Sequence, residues 1–216
     1  CEDAGLIWAN PDNFVQPGTD DDHDEEGHDE EGHDDDSLKY DPHSWLDPVA
    51  FNAQNTVVMD ALIAAFPDGE DAFKTNGAAF SAKLVTLDTA YEAAFGTGGL
   101  CMTGGHEKKI SANHNAYSYL SVRYDIQFVT VHGLDPEGEP SPQDVAKVVE
   151  FIKEDGITVL FVEEFTDPTS VQSIVDETGV SVETLYTMEL APSDSSDDYM
   201  SVMESNLANL ISGMGC

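Results

Sequence analysis

Seven histidines stand in this chain, and three of them recur at a fixed interval. Residues 20–36 read DDDHDEEGHDEEGHDDD, so that His23, His28 and His33 repeat every five positions within a unit HDEEG. Imidazole nitrogen is a good ligand for zinc, copper and nickel, and several imidazoles on one flexible segment can close around one ion together. The surrounding carboxylates attract cations and favour protonated imidazole, so protons compete with metal as pH falls. By composition alone such a run is a solvated, self-repelling acidic loop. Regular histidine spacing is not needed for solubility, and it points to metal capture. Four residues later DPHSWLDP (41–48) presents a separate histidine, His43, between two proline-fixed corners. Pinned backbone suits a ligand; the plainer reading is a turn histidine bonded to a nearby carbonyl.

Further candidates follow from the order of the elements. From Lys109 onward, short apolar runs at 109–112, 126–132, 157–162 and 182–187 alternate with segments of helical periodicity. Such alternation predicts an α/β fold with a parallel sheet and right-handed crossovers. Ligands of parallel sheets bind beyond the carboxyl ends of the strands. That rule selects His114 after the first strand, His132 at the end of the second, Glu163 and Glu164 after the third, and Glu189 after the fourth. His114 could equally cap the helix that follows it, and His132 reads as a loop or sheet-edge residue. His106, in GGHEKK, reads as exposed loop.

The elements ahead of this sheet are helical. Asp47 and Pro48 read as N-cap and first residue of a helix to about Phe66, with Val58, Leu62, Ile63 and Phe66 on its apolar side. After Pro67-Asp68-Gly69 a longer helix is expected from Glu70 to Phe95, its stripe formed by Phe73, Phe80, Leu84, Leu87, Tyr91 and Phe95 and weakened at Gly77. A glycine-rich break spans 96–105. Later helices start at Ser141-Pro142 and at Asp167-Pro168, the latter closed by Gly179, and a last one covers about 198–211.

Composition bounds the partners. Forty-three acids against eight Lys and Arg give a formal charge of −35, and the 12 acids of the tract still leave 31 elsewhere, so the acidity is global. Such a surface repels nucleic acid and anionic membrane, and would suit molar salt, where screening relieves self-repulsion. No apolar run reaches the roughly 20 residues needed to span a bilayer. Cys1, Cys101 and Cys216 lack CxxC spacing and so form no thiolate zinc site; the simplest accounting pairs Cys101 with Cys216 in an oxidising compartment. Cys1 fits a lipid-anchor cysteine or the place where the sequence begins.

DPHSWLDP, the long helix, HNAYSYLSVRYDI (114–126), EPSP (139–142), LFVEE (160–164) and LYTMEL (185–190) occur in one order. From Asp41 onward this series resembles the zinc-binding branch of the metal-specific substrate-binding proteins of ABC importers. The resemblance implies two lobes joined by a rigid helix with the metal between them: residues 1–69 as part of a first lobe carrying the acidic loop, 70–96 as connecting helix, and 97–216 as the second, α/β lobe. It implies that His43 and His114 are ligands. In manganese-binding relatives a carboxylate replaces the second, so the type looks like zinc. Two departures stand out. A further family histidine belongs to an N-terminal segment longer than the 40 residues before Asp41, so a truncated first lobe is expected, with AGLIWAN (4–10) as its remnant. The aspartate many relatives carry after the threonine of LYTMEL is Met188 here; Glu189, one place on, is the remaining carboxylate, with water as its substitute. The expected function is extracytoplasmic capture of Zn2+ by a monomer for the membrane permease of an ABC importer. Alternatives are a zinc buffer or chaperone without a transporter, and a zinc hydrolase with Glu163 or Glu164 as general base, although no HExxH helix is present.

Overall fold

A computed structural model describes residues 41–132 and 141–216; the histidine tract, Cys1 and the first half of EPSP lie outside the described residues. Four strands, β1 (Lys109–Ala112), β2 (Gln127–Thr130), β3 (Val159–Val162) and β4 (Ser181–Thr184), form one sheet in the order β2-β1-β3-β4, every neighbouring pair parallel. The expected parallel α/β architecture is therefore present. Side-chain alternation splits the sheet's two faces. Ile110, Phe128 and Phe161 point into one core with Leu87, Tyr91, Phe95, Met203 and Leu210. Val129, Leu160 and Val162 point into the other with Val148, Ile152 and Ile174. β3 is buried throughout, as a central strand covered on both faces must be.

Helix α1 (Pro48–Ala65) starts as its sequence predicts: the Asp47 carboxylate accepts the Val49 amide at 2.9 Å, and Pro48 occupies the first turn. Its expected apolar side is not a buried side. Val58 and Phe66 are 56% and 61% exposed, and the buried residues are Pro48 and Ala50. Helix α2 (Glu70–Phe95) runs 26 residues, about 39 Å at 1.5 Å per residue. Leu84, Leu87, Tyr91 and Phe95 are buried, whereas Phe73 and Phe80 are only partly covered, so the stripe meets the core through the helix's second half. Gly77 sits at the contact with α1, where a Cβ would stand 2.8 Å from Met59 Sδ. The glycine that lowers helix propensity is what allows α1 and α2 to approach.

Past α2, the glycine-rich break contains a short helix, α3 (Leu100–Gly104), and then β1 begins. The remaining helices are α4 (Ser118–Tyr124), α5 (Pro142–Asp155, capped by Ser141), α6 (Gln172–Thr178, preceded by a 3-10 turn and ended by Gly179 at φ +76°) and α7 (Tyr199–Gly213, capped by Asp198). Cys101 and Cys216 are joined in a disulfide with Cα atoms 4.9 Å apart, fastening the chain's end to α3. Among the described residues no helix is long and apolar enough to cross a membrane.

Candidate metal centre

His43 lies in a 3-10 turn (Ser44–Leu46) immediately before α1, and three hydrogen bonds tie this segment to the rest of the fold. Tyr119 Oη donates to Asp41 O at 2.9 Å, Trp45 Nε1 donates to Thr187 O at 2.7 Å, and Tyr199 Oη donates to Trp45 O at 2.8 Å. Leu46, fully buried, adds an apolar anchor. The turn is thus fixed against α4, α7 and the loop after β4.

The sheet supplies the opposing groups from the carboxyl ends of its strands. β1 continues through Asn113, whose amide pairs with Phe161 O, to His114. β3 runs into Glu163, whose amide donates to Asn113 Oδ1 at 3.2 Å. β4 leads through Leu185 and Thr187 to Glu189. His43 and His114 are 2% and 0% exposed, with ring centroids 5.0 Å apart and planes at 81°. One ligand atom each from His43, His114 and Glu189 lies within 4.8 Å of the other two. Two imidazoles and a carboxylate at this spacing are a donor set that one borderline divalent ion can draw together, with metal–ligand bonds of about 2.0–2.2 Å.

On each ring a carboxylate sits against Nδ1. Asp41 Oδ1 is 2.6 Å from His43 Nδ1, and Glu163 Oε1 is 2.6 Å from His114 Nδ1. His43 Nε2 meets Glu189 Oε1 at 2.6 Å, directly inside the candidate site. The Glu189 side chain, 36% exposed, is the group of the three that faces solvent. The site's negative field reaches Tyr117: burial, and then Glu163 and Glu189, push its phenol well above the usual value. His132 is shifted down by burial and by His114 nearby.

The chain matches the family described as ZnuA, zinc-uptake complex component A, periplasmic, over residues 7–213. It belongs to that family. Zinc-binding lipoprotein AdcA of Streptococcus pneumoniae is 32% identical over 212 residues, covering 94% of this chain and 39% of the relative. High-affinity zinc uptake system protein ZnuA of Bacillus subtilis is 28% identical, covering 77% of this chain and 51% of that protein. Among solved structures, the laminin-binding protein Lbp of Streptococcus pyogenes superposes with a TM-score of 0.72 at 29% identity, over 81% of this chain and 66% of that one. The Zn(II)-bound ZnuA-like domain of S. pneumoniae AdcA gives 0.67 at 29% identity, over 84% and 66%. The chain therefore spans about two fifths of the AdcA relative and two thirds of these structures.

For this member of the zinc-uptake component A family, the residues expected from sequence fall into three groups. His43, His114 and Glu189 are brought together. His23, His28 and His33 lie outside the described residues, and His106 is exposed. Both glutamates named as general bases are hydrogen-bonded. Glu163 bonds His114, and Glu164 accepts from the Ser193 amide at 3.0 Å and from its hydroxyl. His114 does not cap α4, whose N-cap is Tyr117. Strand parity, which leaves the direction of Glu189 open, does not apply: β4 ends at Thr184, and Met188 adopts φ +55°, in the left-handed region. Just past this left-handed residue Glu189 reaches His43. Sequence reasoning missed Asp41 as a partner of His43; the signal was a carboxylate two residues before a pinned histidine.

Proposed function

We propose that this chain captures zinc outside the cytoplasmic membrane and hands it to the permease of an ABC importer, holding the ion with His43, His114 and Glu189. The observation that carries the reading is the convergence of these three ligand atoms within 4.8 Å, on a turn and strand ends fixed by hydrogen bonds. Two buried imidazoles favour zinc over manganese, which prefers oxygen ligands. Zinc's fourth position then falls to water or to a residue outside this set. Family membership supports the transport role, and the words periplasmic and lipoprotein in the names of the family and the AdcA relative support an extracytoplasmic site of action. In this reading α2 is the connecting helix of residues 70–96, residues 97–216 form one lobe, and residues up to 69 belong to the other.

The tract at 20–36 serves as an accessory collector that raises the local concentration of the ion without forming the tight site. No chemical step is assigned, in keeping with a zinc-uptake family of binding components. Zinc titration against a chromogenic chelator tests the division of labour. Replacing His23, His28 and His33 by Asn should preserve the tightest binding event and lose weaker ones. Loss of the tightest event in that variant would reverse the two roles.

A further inference from the structure

Each imidazole of the centre carries a carboxylate on its Nδ1. Asp41 Oδ1 is 2.6 Å from His43 Nδ1 and also accepts the His43 amide at 2.9 Å. Glu163 Oε1 is 2.6 Å from His114 Nδ1, yet Glu163 does not belong to the group whose ligand atoms converge. The Asp41 backbone and the Glu163 carboxylate are themselves held. Asp41 is 2% exposed, and its carbonyl accepts from Tyr119. Glu163 receives the Thr187 hydroxyl on Oε2 at 3.4 Å, and its amide is bound by Asn113.

We infer that Asp41 and Glu163 are positioning residues that hold the Nδ1–H of His43 and His114, so that both rings present Nε2 to the ion, which displaces the proton His43 shares with Glu189 as it binds. The inference rests on the zinc-capture reading above. Neutral imidazole has one N–H and one lone pair, and its tautomer is set by whatever the other nitrogen bonds. A carboxylate accepts from Nδ1–H and cannot donate when ionised, so it favours one tautomer and one ring orientation. Without that partner the rings must change tautomer or turn when the ion binds, and affinity falls. The two sites are independent in sequence. Asp41 precedes its histidine by two residues, whereas Glu163 reaches His114 from the neighbouring strand end.

The test uses the full chain with His23, His28 and His33 changed to Asn, labelled with 15N-histidine and free of metal at one fixed neutral pH. Two-bond 1H–15N spectra should show His114 as the Nδ1–H tautomer. Glu163→Ala should convert it to a mixture or to the Nε2–H form and weaken zinc binding about 10–100-fold, measured by chelator competition. Glu163→Gln, whose amide oxygen still accepts from Nδ1–H, should restore the tautomer and most of the affinity. Asp41→Ala should weaken binding by a similar factor. A folded Glu163→Ala variant with unchanged tautomer or affinity overturns the inference. If the alanine variants fail to fold, His114 in the Nε2–H form in the unsubstituted site overturns it alone. A correct tautomer in a parent chain that binds no zinc refutes the capture reading instead and leaves the orientation of the ring established.

Discussion

Met188 shows how one backbone dihedral decides a ligand. A non-glycine residue at φ +55° costs about 1–2 kcal/mol relative to ordinary regions, and here it redirects Glu189 onto His43. Nothing in LYTMEL signals this, since methionine has no preference for the left-handed region; that is why the histidines were legible and the aim of the carboxylate was not. His43 and His114 stand out because proline corners and a strand end restrict where their rings can go. Glu163 was selected by the same strand-end rule, but only the fold reveals that it supports His114. Removing a ligand should cost more than removing an orienting group, so Glu189→Ala should lower zinc affinity about 100-fold or more in a chelator competition. Met188→Ile, a β-branched residue disfavoured at positive φ, should weaken binding more than Met188→Gly does. Equal effects would remove the dihedral from the account.

At the scale of elements, caps and parallel-strand order were readable because they rest on local chemistry: Asp47-Pro48, Ser141-Pro142 and Gly179 mark ends wherever the helix packs. Which face of a helix is buried depends on the partner, and α1 shows the failure. Its apolar side at Val58 and Phe66 is exposed among the described residues, while its start is fixed by Asp47 and Arg123. The Asp47 side chain is fully buried, with Oδ1 accepting both Arg123 Nε at 2.6 Å and the Val49 amide. Burial raises its carboxyl above the ordinary 3.8, outweighing Arg123 and the backbone donors that act in the other direction. A raised folded-state value means that this group's contribution is full below pH 3.8 and is lost as pH rises through the folded value. The melting-temperature advantage of wild type over Asp47→Asn, which retains a good N-cap, should therefore shrink as pH climbs from 3 toward 6. An advantage that grows with pH would mean that pairing with Arg123 prevails over desolvation. Asp47→Ala, which removes the Arg123–Asp47 ion pair and the α1 cap, should destabilise by about 3 kcal/mol in denaturant unfolding.

The whole molecule carries −35 formal charges on 216 residues, a load that opposes compaction and that salt relieves. The screening length falls from about 10 Å at 0.1 M to about 3 Å at 1 M, so the melting temperature should rise between those concentrations; a fall would mean that attractive surface pairs outweigh the net repulsion. The same field draws divalent cations toward a centre whose solvent-facing wall is Glu189, which joins global composition to the local site. The acidity was plain in the sequence, but the place where it converges was not, because β1, β3 and β4 bring their ends together only through long-range pairing. The most direct test of the central claim is a zinc titration of the full chain with the three tract histidines replaced, beside the same chain carrying His43→Ala or His114→Ala. The account predicts one tight zinc equivalent in the parent, lost in both single variants while their fold persists by circular dichroism. Undiminished tight binding in either variant would contradict it.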